Sequence, residues 1–334
     1  MTEHVVRTER HTTAYLESGP PDGPLLIFVH GWPALGMMWR EQLEHFGALG
    51  YRCVAPDMRG YGRSDVPGNP EDYALEQVVL DMVELLRGLG AERATWIGHD
   101  WGGPLVWALA GHHPERCDGV VSLCVPYFAK GFTPETVVPL VDRTVYPEAK
   151  YPAGQWDYQL FYQTAADAAA AAFEADLPAT FKALFRRGDV REKGKPALTA
   201  RVTRDGGWFG GTGRAPDLPR DPAVLSEDDL ARYVFAFART GFAGPDSWYL
   251  NPDRNMAYAA RVADGGALRL PVLFLHAAYD AICETVDSRL AEPMRRDCSD
   301  LTELVLETGH WMAQEQPAQV NAAIEMWLAR ANTR

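Results

Sequence analysis

The pentapeptide Gly98-His99-Asp100-Trp101-Gly102 carries the strongest chemical signal in this chain. It follows the apolar run Ala94-Thr95-Trp96-Ile97 and precedes Pro104-Leu105-Val106-Trp107-Ala108-Leu109, which predicts a strand, a sharp turn and a helix. The related frame G-x-S-x-G presents a serine nucleophile above a sheet, its glycines letting the turn and the strand–helix contact close. Here an aspartate holds the serine's place. A carboxylate is a poor reagent for amides, but it displaces leaving groups from tetrahedral carbon and becomes an enzyme ester. Its electrophile must be an alkylating carbon, as in an epoxide or an alkyl halide. The plain alternative makes Asp100 an N-cap of the helix that follows; the glycines on both sides weigh against it.

Groups able to complete that chemistry follow other predicted strands. Asp280 lies beyond the run Pro271-Val272-Leu273-Phe274-Leu275-His276, and His310 follows Leu301 to Leu306 within Glu307-Thr308-Gly309-His310-Trp311. Nucleophile, acid, histidine is the chain order of the α/β-hydrolase fold. In such sheets reactive groups gather beyond the carboxyl ends of the strands. His310, oriented by Asp280, would activate water against the ester. Backbone N–H groups of Trp101 and of Trp32, in His30-Gly31-Trp32-Pro33, would hold the oxyanion. Asp287, Asp297 and Asp300 compete with Asp280 as the orienting acid, and His310 could be an ordinary loop histidine. His30 and Pro33 are expected to shape the turn beside the substrate.

The elements that must position these groups are legible as an alternation. Leu25 to Val29, Arg52 to Ala55, Ala94 to Ile97 and Val120 to Cys124 are continuously apolar, as strands buried on both faces are. Between them, Leu75, Val78, Val79, Met82, Leu85, Leu86 and Leu89 form a helical stripe that Gly90 ends. Pro114 ends the helix after the turn near His113. From about Thr133 to Arg261 the alternation gives way to aromatics, an alanine-rich helix at Ala165 to Phe173 and a Gly/Pro-rich loop from Gly206 to Pro222. It returns at Pro271, and a helix at about Pro317 to Arg330 closes the chain. Val5-Val6 and Ala14-Tyr15-Leu16 suggest an edge hairpin. The expected fold is α/β: a doubly wound, mostly parallel sheet, with core at 1–132 and 262–334 and an inserted helical cap at 133–261.

Of the 334 residues 47% are hydrophobic and 23% charged, with a net charge of −13. That acidity argues against nucleic acid and anionic membrane as partners. No apolar stretch reaches the ~20 residues a spanning helix needs, and the first residues lack a signal peptide's apolar segment. The five cysteines are scattered without a CxxC pair, as free thiols in a reducing compartment are. A cytoplasmic location is expected. No metal-site spacing or phosphate loop is present, so neither a metal nor another cofactor is expected. Asp57 to Ser64 reads as a loop braced by charged hydrogen bonds. His4, His11, His45, His112 and His113 are expected at the surface, His99 and His276 in the core.

The leaving group divides the two electrophiles. An opened epoxide is an alkoxide, a strong base that wants a proton donor, whereas a halide leaves as a stable anion. Tyrosine, with a pKa of about 10, can protonate an alkoxide near neutral pH. From Pro24 to Arg330 the chain resembles the soluble epoxide hydrolases of the α/β-hydrolase fold. His30-Gly31-Trp32-Pro33 is similar to their H-G-x-P motif and Gly98 to Gly103 to their nucleophile segment. Asp157-Tyr158-Gln159-Leu160-Phe161-Tyr162-Gln163 resembles the segment bearing one epoxide-activating tyrosine. Gly241-Phe242-Ala243-Gly244-Pro245, followed by Trp248-Tyr249-Leu250-Asn251, resembles the segment bearing the other. The resemblance implies Tyr158 and Tyr249 as proton donors, with Asp100, Asp280 and His310 as the triad, acting on a lipophilic epoxide and water without a cofactor.

Tyr162, one turn from Tyr158, competes for the same role, and aromatic packing is the plainer reading of both donor positions. Trp156, Trp208 and Phe209 are expected along the substrate channel. A haloalkane or haloacid dehalogenase, sharing the aspartate nucleophile, is the rival enzyme, and a non-catalytic binding module is the rival outside enzymes. The sequence leaves monomer and homodimer open.

Overall fold

The computed structural model describes residues 1–331. Eight strands form one sheet among them: β1 (Thr2–Arg7), β2 (Thr12–Ser18), β3 (Leu25–Val29), β4 (Arg52–Pro56), β5 (Ala94–His99), β6 (Cys117–Leu123), β7 (Val272–Ala277) and β8 (Leu301–Leu306). Their spatial order is β1-β2-β4-β3-β5-β6-β7-β8. β2 runs antiparallel to both β1 and β4, and every other pairing is parallel. The hairpin at the edge is therefore as the sequence suggests. All of β5 and β7 is buried, which explains their unbroken apolar runs. At the far edge β8 is only partly covered and keeps Thr302 and Glu303.

Helices α1 (Arg40–Ala48), α2 (Leu75–Gly88) and α3 (Gly102–His112) connect the first parallel strands. The stripe on α2 is buried from Leu75 through Leu86, and Gly90 follows at a positive φ of 72°. Because β4 and β5 lie on opposite sides of β3, the loops leaving β3 and β5 diverge and open a crevice at their carboxyl ends. Trp32 comes from one of these loops and Asp100 from the other.

Between β6 and β7 the described chain is helical: α4 (Pro134–Val137), α5 (Asp157–Glu174), α6 (Leu177–Leu184), α7 (Glu227–Thr240), α8 (Ala243–Asp246) and α9 (Pro252–Ala259). The alanine-rich helix is longer than its composition suggests. It starts at Asp157, is broken by non-helical angles at Ala165, and carries Tyr158 and Tyr162 on its first part. Trp248 Nε1 donates to Arg59 O at 3.1 Å and Asn251 Nδ2 to Pro70 O at 2.8 Å, fastening these helices to the loops after β4. Trp311 Nε1 donates to Leu184 O at 2.9 Å and ties α6 to the loop after β8. The last helices are α10 (Glu292–Asp297), α11 (Met312–Glu315) and α12 (Pro317–Ala331). No described helix is long and apolar enough to cross a membrane.

The loop after β4 is braced as its charges suggest: Arg59 donates to both oxygens of Asp81 on α2 at 2.7 Å. One expectation fails here. His11 is not a surface residue; it is 3% exposed, within 4 Å of the carboxylates of Asp81 and Asp65. The turn between β1 and β2 folds beneath this loop, where Thr12 N donates to Asp65 Oδ2 at 2.7 Å. Burial lowers the His11 pKa against the pull of Asp81. His112 is half-buried and stacks on Tyr258 at 3.7 Å, where burial lowers its pKa to about 4.

Helix α3 approaches β3 so closely that a Cβ on Gly102 would stand 2.2 Å from Val29 O, a backbone atom. Gly102→Ala should therefore cost at least ~2 kcal/mol, read as a lower midpoint in reversible denaturation. An unchanged midpoint would contradict this packing.

Candidate active site

Asp100 closes β5 with a positive φ of 52°, a strained value for a residue with a side chain. The turn aims its carboxylate into the crevice, and two backbone amides meet it there. Trp32 N donates to Oδ1 at 2.6 Å, and Trp101 N also bonds the carboxylate. Gly31 makes this cradle possible, since a Cβ there would lie 2.3 Å from Asp100 Oδ1. Burial raises the Asp100 pKa, while a charged His310 and the two amides oppose that rise.

The loops after β7 and β8 bring a histidine and an aspartate to the other side. His310 Nε2 lies 3.7 Å from Asp100 Oδ2, and His310 Nδ1 lies 2.7 Å from Asp280 Oδ2. Asp280 Oδ1 accepts from Ile282 N at 2.9 Å and Cys283 N at 3.0 Å, so the acid itself is fixed. Burial works against charge on both partners, but their mutual attraction prevails: the Asp280 pKa is lowered and the His310 pKa is raised. Asp287, Asp297 and Asp300, the other acids weighed from sequence, do not hold this histidine. His99 Nε2 reaches His310 O at 2.7 Å and fixes the loop backbone. Burial and then the nearby His310 charge push the His99 pKa down to about 3, which keeps it neutral.

Aromatic side chains roof the carboxylate. The Tyr249 ring meets Trp101 at 5.3 Å, Trp32 at 6.2 Å and Tyr158 at 5.6 Å. Burial raises the pKa of Tyr158 and of Tyr249 well above 10, and the Asp100 charge adds to both. Both therefore stay protonated beside the carboxylate. Tyr158 Oη accepts from Gln159 Nε2 at 3.3 Å. Tyr162 is turned elsewhere: its ring stacks on Tyr249 at 4.4 Å, and the carboxylate it feels most is Asp246.

His30 is buried and spends both ring nitrogens on backbone, Nδ1 on Gly31 O at 2.9 Å and Nε2 on Met58 N at 3.0 Å. A cis peptide joins Trp32 to Pro33. Trp208 and Phe209 border a cavity of about 660 Å³, together with Leu184, Val202 and Leu218. Trp208 also touches Trp32 at 6.0 Å and Tyr158 at 5.9 Å, so its ring faces both the cavity and the reacting groups. Trp156 is wholly buried against Phe132 at 5.5 Å and does not border that cavity.

Two sets of metal-type donors share His310, one with His99 and Cys124 and one with Asp280 and Cys283. Burial raises both thiol pKa values well above 9. Sequence reasoning missed Asp246. It lies inside the segment matched for Tyr249, yet it is 1% exposed and accepts from Trp32 Nε1 at 2.9 Å. The only signal was an aspartate among aromatic and small residues.

The sequence pattern of the alpha/beta hydrolase fold family matches residues 24–317. The chain is 33% identical to epoxide hydrolase A of Mycobacterium tuberculosis over 334 residues, covering 100% of this chain and 99% of that protein. It is 34% identical to bifunctional epoxide hydrolase 2 of Sus scrofa over 94% of this chain, and spans only 52% of the pig protein. The crystal structure of epoxide hydrolase A from Mycobacterium thermoresistibile superposes with a TM-score of 0.80 at 30% identity, covering 98% of each chain.

A base must be neutral to take a proton, so the acid limb of the pH–rate profile should lie above the ordinary histidine value of 6.5. Asp280→Asn removes the main charge that raises His310 and should move that limb to lower pH while slowing turnover. A limb that stays in place would contradict this coupling.

Proposed function

This chain belongs to the epoxide hydrolases of the α/β-hydrolase fold, and we propose that it converts an organic epoxide to a vicinal diol through an ester on Asp100. The observation that carries this reading is a carboxylate flanked by a backbone-amide cradle and a histidine–aspartate pair, beneath protonated tyrosines. We take residues 133–261 as the cap over a core of 1–132 and 262–334.

In the first step Asp100 Oδ2 attacks a ring carbon. The C–O bond of the ring breaks, and its oxygen takes the electron pair and a proton from Tyr158 or Tyr249. The tyrosines supply what an alkoxide requires and a departing halide does not. Oδ1 stays with Trp32 N, beside the Trp101 amide of the same turn, and becomes the ester carbonyl. In the second step His310 Nε2 removes a proton from water, and the hydroxide adds to Asp100 Cγ. The negative charge gathers on Oδ1, where the amides already point. Preorganised donors of this kind are typically worth about 3–4 kcal/mol each. Cγ–Oδ2 then breaks, His310 returns the proton to the departing oxygen, the new Asp100 carboxyl gives its proton back to the tyrosinate, and the diol leaves with one oxygen from Asp100. His310 is thus needed for the second step and not the first. The apolar cavity beside Trp208 suits a lipophilic substituent on the epoxide.

Asp100→Ala should abolish diol formation in a protein that still folds. His310→Gln should accumulate the ester, seen by mass spectrometry as one substrate mass added to the peptide holding Asp100. Retained turnover in the first variant, or an unmodified peptide in the second, would refute the two-step scheme. Changing Tyr158 and Tyr249 together to Phe should slow ring opening by at least ~10²-fold in single-turnover assays. An equal loss in Tyr162→Phe alone would assign the donor to the wrong ring.

A further inference from the structure

Asp246, at the end of α8, occupies a place where a carboxyl is costly. It is 1% exposed, and the rings nearby, Trp32, Phe173 and Phe242, are all apolar contacts of one another. No arginine, lysine or histidine acts on it among the described residues, and Glu174 adds a like charge from α5. Burial, the larger effect, and that like charge raise its pKa well above the ordinary carboxylate value. Burying a carboxyl with no cation beside it is unfavourable even when it is neutral, so an apolar residue of similar size would suit the packing better.

The carboxyl has two neighbours of consequence. Its Oδ1 accepts from Trp32 Nε1 at 2.9 Å, and its Oδ2 is buried without a partner in hydrogen-bonding geometry. The Tyr162 hydroxyl is likewise buried and unpaired, yet it and Asp246 perturb each other's acidity. The two groups are thus neighbours just short of a formed bond. Trp32 supplies from its backbone the amide at 2.6 Å from Asp100 Oδ1, while the Tyr162 ring lies flat against Tyr249, at 4.4 Å and 9°.

We propose that Asp246 is a positioning residue for the reaction: its bond to the Trp32 indole fixes the residue whose backbone amide holds Asp100 Oδ1. The Trp32 ring otherwise meets its neighbours through edge contacts and one stack on Trp208. The bond to Asp246 is the directional contact on its N–H edge. A Trp32 held in one rotamer keeps its own N–H aimed where negative charge gathers when water attacks the ester. This inference rests on the two-step reading above and deepens it; Asp246 touches no reacting atom.

The test is a double-mutant cycle with steady-state and single-turnover kinetics on an epoxide that the intact protein hydrolyses. Asp246→Leu removes the acceptor and should lower kcat about 10- to 100-fold, since small misplacements of catalytic donors have effects of that size. KM should not rise, and the ester on Asp100 should accumulate during turnover, because its hydrolysis is the slowed step. Asp246→Asn keeps an oxygen acceptor at Oδ1 and should stay within about threefold of the parent, a smaller change than the loss of the acceptor brings. Trp32→Phe removes the donor and should slow the same step, and adding Asp246→Leu to it should change kcat by less than about twofold, because both remove one interaction.

Thermal midpoints, read in parallel, should not fall for Asp246→Leu in proportion to its kcat. The proposal is overturned if Asp246→Leu turns over like the parent, if Asp246→Asn is as slow as Asp246→Leu, if the two single effects multiply, or if lost activity tracks lost fold. Ester trapping in His310→Gln separates the two levels. If that variant holds the ester while the cycle fails, only the role of Asp246 falls. If it holds none, the two-step reading falls as well.

Discussion

A carboxylate drawn mostly out of water is stable only if polar groups take the water's place, and at Asp100 two backbone amides do. The Trp32 amide lies 2.6 Å from Asp100 Oδ1, and the Trp101 amide comes from the turn itself. Everything around the site serves that contact. The amides require the loops after β3 and β5 to face one crevice, which the order of strands arranges by sending the chain away from β3 and β5 in opposite directions. They require a positive φ at Asp100 and no Cβ at Gly31. Oδ1 is held by the Trp32 amide while Oδ2 faces His310 at 3.7 Å. Backbone N–H groups hold charge without supplying a proton, which preserves the anion.

The helical insertion has a complementary task. It brings rings from α5 and from the turn after α8 over the carboxylate, excluding water and strengthening each interaction beneath. Burial there keeps Tyr158 and Tyr249 protonated, and the Asp100 charge reinforces this. The insertion is fastened to the core by polar contacts at its margins, such as Trp248 to Arg59 O and Trp311 to Leu184 O. Its loop carrying Trp208 and Phe209 is built differently, with positive φ at Phe209 and at several glycines around it, beside the apolar cavity of about 660 Å³.

Much of this was legible from residue type and spacing because the governing constraints are local. Unbroken apolar runs announced the buried parallel strands, and the glycine frame around Asp100 announced the turn. Asp280 was separable from its competitors because it directly follows a strand. What escaped was decided by contacts between segments distant in sequence. His11 looks like a terminal polar residue until the loop from Asp57 to Asp65 closes over it. Helix α5 begins well before its alanines because Tyr158 and Tyr162 are paid for by packing, not by propensity. Asp246 gave no pattern, since its partner Trp32 is over two hundred residues away.

The central claim is that Asp100, and not water, makes the first bond to the substrate carbon. One catalytic cycle in ¹⁸O-labelled water, with protein in excess over an epoxide, tests it most directly. The account predicts that the label enters the carboxylate of the peptide containing Asp100 while the diol formed in that cycle remains unlabelled. A labelled diol with an unlabelled peptide would mean that water opened the ring directly, and the account would be wrong.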